Sequence, residues 1–139
     1  MAAFTKFESF VEVLAEGGHN LGADTLEIAL TNAANPPVVG DDVLADLTQI
    51  SYTNLTADRT LTVSDSSQTG GVYKLTITDK VLAASGGSVA AFRYVVIFNQ
   101  DAASDELIGF YDYGSEITLL DGEDLTIDFD GTNGVLTIT

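Results

Sequence analysis

Two hydrophobic periods divide this chain. Near its start, Phe4, Phe7, Phe10, Val11 and Leu14 recur three or four residues apart, with Glu8, Glu12 and Glu16 on the opposite side. Thr5 and Glu8 have the spacing of a capping box, and Gly17-Gly18 offers a left-handed stop. This spacing predicts one amphipathic helix over about residues 5–17. From residue 25 onward the period drops to two. Leu26, Ile28 and Leu30 alternate with Glu27 and Ala29, which predicts a half-buried strand. The run at 89–99 is different, because from Phe92 to Phe98 only Arg93 is charged and the rest are aromatic or β-branched. Too short to span a membrane, it suits a central strand covered on both faces.

The remaining strands follow from the same alternation. Leu61 and Val63 mark one at 60–64, before a polar turn predicted at 66–71. Tyr73, Leu75 and Ile77 mark the next, and 81–84 adds a short one. Leu107, Ile108, Phe110, Tyr111 and Tyr113 form another, with a turn at Gly114. Ile117 and Leu119 lead to Asp121-Gly122, a hairpin signal, followed by Leu125, Ile127 and Phe129. After the turn at 130–134, Leu136 and Ile138 close the last strand. One helix followed by eight or nine short strands predicts a mainly β protein, an antiparallel, jelly-roll-like β-sandwich in a single domain over residues 1–139. Residues 32–42 include Pro36-Pro37 and Gly40, which predicts a long loop, with one helical turn after it at 43–47. Phe4, Phe7 and Phe10, as a stripe, are either core or a docking face. Pro36 and Pro37 lie in a loop long enough to be an arm toward a neighbour.

Composition sharpens the picture mainly through charge. Hydrophobic residues are 45% of the 139, enough for a packed core, and no apolar run approaches the ~18 residues of a membrane helix. No secretory signal pattern is visible at the N-terminus. Without cysteine there are neither disulfides nor thiolate metal sites. Five Lys and Arg face 21 Asp and Glu, a net −16, and no basic residue follows Arg93. Nucleic acid and anionic membrane are therefore excluded as direct partners on electrostatic grounds, whereas a cationic protein suits this charge.

Candidate chemistry is sparse. His19 is the lone histidine, with no nucleophile motif nearby, and reads as a local structural or solvent-facing residue. Asp128, Asp130 and Asn133 offer oxygens around a glycine turn, but the spacing is ordinary turn chemistry rather than an EF-hand. The pairs Asp105-Glu106 and Glu123-Asp124 are sequence neighbours, which a strand points to opposite faces, so neither converges as a glycosidase pair. Tyr94, Tyr111 and Tyr113 lie in apolar strands and read as core rather than a sugar platform. The triplet Asn54-Leu55-Thr56 fits a glycosylation acceptor only in a secreted chain. No phosphate loop, dinucleotide fingerprint, serine elbow or zinc motif occurs, so no catalytic residue, metal or cofactor is expected.

Several segments together resemble small structural proteins of tailed bacteriophages. They are 4–12 (FTKFESFVE), 19–26 (HNLGADTL), 29–32 (ALTN), 84–88 (ASGGS), 92–96 (FRYVV), 107–115 (LIGFYDYGS), 119–123 (LLDGE) and 128–134 (DFDGTNG). The resemblance covers most of the chain and carries no catalytic residue. It implies a virion component, most closely a capsid decoration, or cement, protein on the outer surface of the head. Its partners would be the major capsid protein and further copies of itself, as a homotrimer. Phe4, Phe7, Phe10, Pro36 and Pro37 are then the expected capsid or subunit contacts. A tail tube or tail-tip protein, or a carbohydrate-binding sandwich on the virion, are the alternatives.

Overall fold

A computed structural model describes residues 2–56 and 58–139. The elements run β1 (Phe4–Lys6), α1 (Phe10–Ala15), β2 (Leu26–Thr31), β3 (Val63–Thr69), β4 (Val72–Ile77), β5 (Lys80–Ala83), β6 (Phe92–Asn99), β7 (Leu107–Ile117), β8 (Asp124–Ile127) and β9 (Leu136–Ile138). A single 3-10 turn, Leu44–Asp46, stands between β2 and β3. Every ladder is antiparallel. One sheet has the order β1-β7-β6-β2, and opposite it lie a three-stranded sheet β3-β4-β9 and a ladder β5-β8. The protein is mainly β, with one short helix near its N-terminus.

The apolar run foreseen as the central strand is β6, flanked by β7 and β2. Its inward face shares one core with the opposite layer: Val95 and Ile97, with Ile28, Leu30 and Ile108, meet Leu75, Ile77, Leu82, Ile127 and Phe129. Its other face is buried as well. Tyr94, Val96 and Phe98 pack with Ala29, Phe7, Leu107 and Phe110, and Leu44 and Leu47 lie against them. Each fully buried Ile, Leu or Phe contributes roughly 1.5–3 kcal/mol of transfer free energy, which is why this strand tolerates almost no polar residue. The β2 prediction is accordingly corrected: with Ala29 and Thr31 both at 0% exposure, it is buried on both sides rather than on one.

The cover on the second face is the 32–47 segment. Rather than projecting as an arm, it is tied to its own chain. Glu8 N–H donates to the Val39 carbonyl (2.9 Å), Leu107 N–H to Asp42 (3.0 Å) and Leu44 N–H to Asp105 (3.0 Å). Ala33 N–H donates to a Glu116 carboxylate oxygen at 3.0 Å. The outer edge of β2 is likewise closed by Ile50 and by residues 59–61, through Ile28 N–H to Arg59 O, Leu61 N–H to Leu26 O and Ile50 N–H to Leu30 O.

The N-terminal prediction fails in an instructive way. Only residues 10–15 are α-helical, and Phe4–Lys6 is a strand paired with β7. The Thr5–Glu8 capping box does not form, since the N-cap is Ser9. A three-residue spacing puts two side chains on one side of a helix but on opposite faces of an extended chain. Phe4 therefore packs toward the inter-sheet core against Tyr111, while Phe7 lands on the second face against Phe110. Pairing with the free edge of β7 outweighs the propensity of a short, marginal helix. The predicted stop is present. Gly17 has φ +82°, Gly17 N–H donates to Leu14 O, and Gly18 N–H donates to Val13 O, the two bonds of a Schellman motif.

Three turn assignments also change. The polar stretch 66–69 continues β3, whose outward side chains face water, and the turn is Gly70-Gly71, both at positive φ as a type I′ hairpin requires. Gly114 does not end its strand. It lies in a bulge of β7, where Phe92 pairs with Ile117 and Tyr94 with Asp112. Asp121-Gly122 is a turn but not a hairpin, because β7 pairs with β6 and β8 with β5, while the turn expected at 130–134 is present.

Candidate functional site

Of the five residues expected at contacts, the fold leaves little on the surface. Phe7 and Phe10 are 0% and 2% exposed, Pro37 is the buried residue of an otherwise exposed stretch at 33–40, and Phe4 is half-buried against Tyr111. Pro36 alone is exposed, beside Val38 and Val39. The phenylalanines thus do not form one outward stripe, for the reason of strand parity given above.

His19 lies at the bottom end of α1, stacked on the Phe10 ring at a centroid distance of 5.3 Å. It is 6% exposed. The Asn99 side-chain amide donates both to His19 Nδ1 (3.0 Å) and to an Asp24 carboxylate oxygen (2.7 Å), while Asn99 Oδ1 accepts from Asp101 N–H (3.0 Å). Because the amide NH2 is the donor, Nδ1 is the acceptor and the neutral ring carries its proton on Nε2, which has no partner. Burial pushes the His19 pKa down, against the opposing pull of Glu106 and Asp24. His19 pins α1 to the end of β6 and is not bonded to any hydroxyl. From the sequence, Asn99 is only the last residue of the 89–99 run. Its role depends on a contact with a residue eighty positions away, and no local pattern announces that.

Beside this network, the open end of the sandwich forms a cleft of about 630 Å3 between Leu14, His19, Asn20, Ser66, Tyr73 and Ile138. The Ser66 and Tyr73 hydroxyls are hydrogen-bonded to each other at 2.9 Å. Such a surface can bind a group of mixed character, but it brings no acid and base together. The tyrosines weighed as a sugar platform lie elsewhere: Tyr94 and Tyr111 are core residues, and Tyr113 is half-buried beside them.

In the acidic C-terminal third, Asp130 is used inside its own turn. Its carboxylate accepts from Thr132 N–H, Asn133 N–H and Asn133 Nδ2 at 2.8–2.9 Å, and these bonds, that from Asn133 N–H first, hold its pKa below the usual range. No cluster of three or more His, Asp or Glu is placed to hold a metal among the described residues. Four of the five cations are engaged within the chain. Lys80 pairs with Asp58 (2.7 Å) and Arg93 with Asp112 (2.8 Å). Arg59 lies over the Tyr52 ring and donates to Ile28 O, and Lys74 donates to Thr132 O. The surface charge left over is overwhelmingly carboxylate.

Searches with this chain matched no protein-family model, no curated protein and no solved structure.

Proposed function

We propose that this chain is a non-enzymatic structural protein of a tailed-phage virion, a cement protein that decorates and stabilises the outside of the capsid as a homotrimer. The observation that carries the proposal is spatial. Four of the segments that resemble phage virion proteins, 4–12, 29–32, 92–96 and 107–115, contribute β1, β2, β6 and β7, which pair in a single sheet. Segment 19–26 is fastened to that sheet through His19, Asp24 and Asn99. Five of the eight resembling segments thus fall on one continuous framework, and the other three, 84–88, 119–123 and 128–134, lie in turns and loops. A rigid block whose loops are tied down, and whose unpaired charge is acidic, suits a partner with basic residues at subunit joints. A trimer on a local threefold axis bridges several capsid subunits at once, so individually weak contacts add through linkage.

Location on the particle is the test. Purified, labelled protein added to heads of the encoding phage is expected to decorate them, with threefold-symmetric density by electron microscopy. Density on the tail with bare heads overturns the proposal in favour of a tube or tip role. Deleting residues 1–10 does not test docking, because it removes β1 together with the buried Phe7 and Phe10.

A further inference from the structure

Where β7 passes β8 there is a small pocket of about 180 Å3, lined by Ala2, Tyr111, Tyr113, Thr126, Ile127 and Asp128. Tyr111 is 4% exposed, its ring packed on Phe4 and on Phe129 at centroid distances of 5.4 and 6.0 Å. Its hydroxyl has no hydrogen-bond partner among the described residues, whereas those of Tyr52 and Tyr73 are bonded within the chain. Nor is it one of the sealed, unpartnered polar atoms of the interior, which belong to Ser9, His19, Thr31 and Thr76. The small part of Tyr111 that stays accessible therefore includes its hydroxyl, and the pocket is where it emerges. A buried phenol left unbonded in a pocket wall is a hydrogen-bonding position waiting for a partner.

The wall selects that partner. Asp128 is its only charged side chain, and no Lys or Arg lines it. Burial, then the charge of Asp128, pushes the Tyr113 pKa up. Burial, then Tyr113 and Asp130, does the same at Tyr111. Both phenols are therefore neutral at neutral pH, in a field that is negative. With Thr126 they make three hydroxyls able to accept beside one carboxylate. An anion is repelled. A metal ion lacks ligands, since no group of three acids or histidines converges among the described residues. The volume lies below the roughly 300–1,000 Å3 of small-molecule sites and suits the end of one side chain. We propose that this pocket takes the guanidinium of an arginine on a partner protein. Its five N–H donors in a fixed plane match acceptors spread over four side chains better than a compact ammonium does. It is also the more weakly hydrated cation, so it enters more readily beside Ala2 and Ile127. That the arginine belongs to a partner protein rests on the docking role proposed above; the preference of the pocket for guanidinium does not.

The probes are the amides of N-acetyl-arginine, N-acetyl-lysine and N-acetyl-citrulline, the last a neutral isostere of the first. Each is titrated into 15N-labelled protein and followed by amide shifts. The arginine probe is expected to shift residues 111–113 and 126–128 with a Kd of about 1–10 mM. It should bind about threefold tighter than the lysine probe and about tenfold tighter than the citrulline probe. Asp128→Asn should weaken it about threefold, and Asp128→Asn with Tyr111→Phe about tenfold. Asp128 is exposed and phenylalanine keeps the ring of Tyr111, so circular dichroism should be unchanged. Equal binding of citrulline overturns the cationic ligand, and equal binding of lysine overturns guanidinium. Shifts spread over all the acidic turns and unmoved by either variant reduce the effect to bulk charge and overturn the pocket, as does no shift at about 50 mM probe. Arginine uptake by protein that never decorates heads refutes the capsid role and upholds the pocket. Head decoration untouched by the double variant, with no uptake of the arginine probe by wild type, does the reverse.

Discussion

The two layers of this sandwich are built from strands of the same geometry under opposite constraints. In the β1-β7-β6-β2 sheet, both faces are closed over β2, β6 and the first half of β7, and β6 carries buried residues at seven of its eight positions. In β3 the pattern reverses, with five exposed positions and none buried, because one face of that layer and one edge of β3 meet water. The difference is not one of strand propensity. It is set by what lies over the outer face, since residues 32–47 cover one layer and, among the described residues, none buries any position of β3. An antiparallel sheet commonly leaves one face wet; here a loop has taken the place a second sheet or helix would occupy.

The largest expected effect tests that cover. Phe7→Ala removes a ring that packs on Phe110 at 5.2 Å, on the face away from the inter-sheet core. If the loop makes this face a true interior, the substitution should cost about 3–5 kcal/mol in urea unfolding, as in any core. A loss below about 1 kcal/mol would mean the second face is solvent-accessible in solution, and the two layers would then differ much less.

How far the sequence revealed this contrast depends on the range of the contacts involved. The nearly unbroken apolar run of β6 and its double coverage were legible, because a strand buried on both faces has no reason to alternate. The alternation of β8 was legible for the opposite reason, as was the inward set Tyr73, Leu75 and Ile77 of β4, although Thr76 on the other face of β4 is buried too. The span of β3 was not, since Ser66, Ser67 and Gln68 look like a turn until their pairing with Tyr73, Lys74 and Leu75 is known. The Phe4–Phe7–Phe10 spacing misled because one spacing fits two geometries, and only the free edge of β7 decides between them. The 630 Å3 cleft was not legible, since Leu14, His19, Ser66, Tyr73 and Ile138 are inconspicuous alone and are brought to it from separate segments by the tertiary fold.

The next effect concerns how β1 is held. Gly109 pairs with Lys6, and a methyl added at Gly109 would run into the Phe4 ring and come within 2.7 Å of the Thr5 carbonyl. This glycine is required by close approach of the neighbouring strand. Gly109→Ala should therefore cost roughly 1–3 kcal/mol, with loss of hydrogen-exchange protection at Phe7 N–H, which donates to Ile108 O. Unchanged protection there would show that β1 contributes little to the doubly covered sheet.

A smaller effect separates the layers by pH. His19 fastens only the first sheet, and its folded pKa lies below the ordinary 6.5. Below 6.5 the unfolded chain then binds more protons than the native one, so stability is complete above 6.5 and declines as pH falls through that value toward the native pKa. Asp58, Asp112 and Asp130 have lowered pKa values, through Lys80, Arg93 and the bonds from Asn133 respectively. Their contribution is lost only as pH drops below the usual 3.8. Between pH 7 and 5, wild type should lose stability relative to His19→Gln, with the difference read from urea midpoints. Parallel profiles would remove His19 from the account.

The smallest effect is the finest probe of how dry the covered face is. Thr31 ends β2 with the parity of Ala29, opposite Tyr94, at 0% exposure, and its hydroxyl has no hydrogen-bond partner in the protein. A buried hydroxyl left unpaired is unfavourable, whereas one bonded to an internal water is not. Valine has nearly the same shape, so Thr31→Val isolates the hydroxyl. If the cover is tight and dry, the variant should gain up to about 1 kcal/mol. A loss of about that size would instead mean that a water bridges Thr31 to the 32–47 segment. The sign of this one substitution distinguishes a loop that packs on the sheet from one that rests on it through solvent.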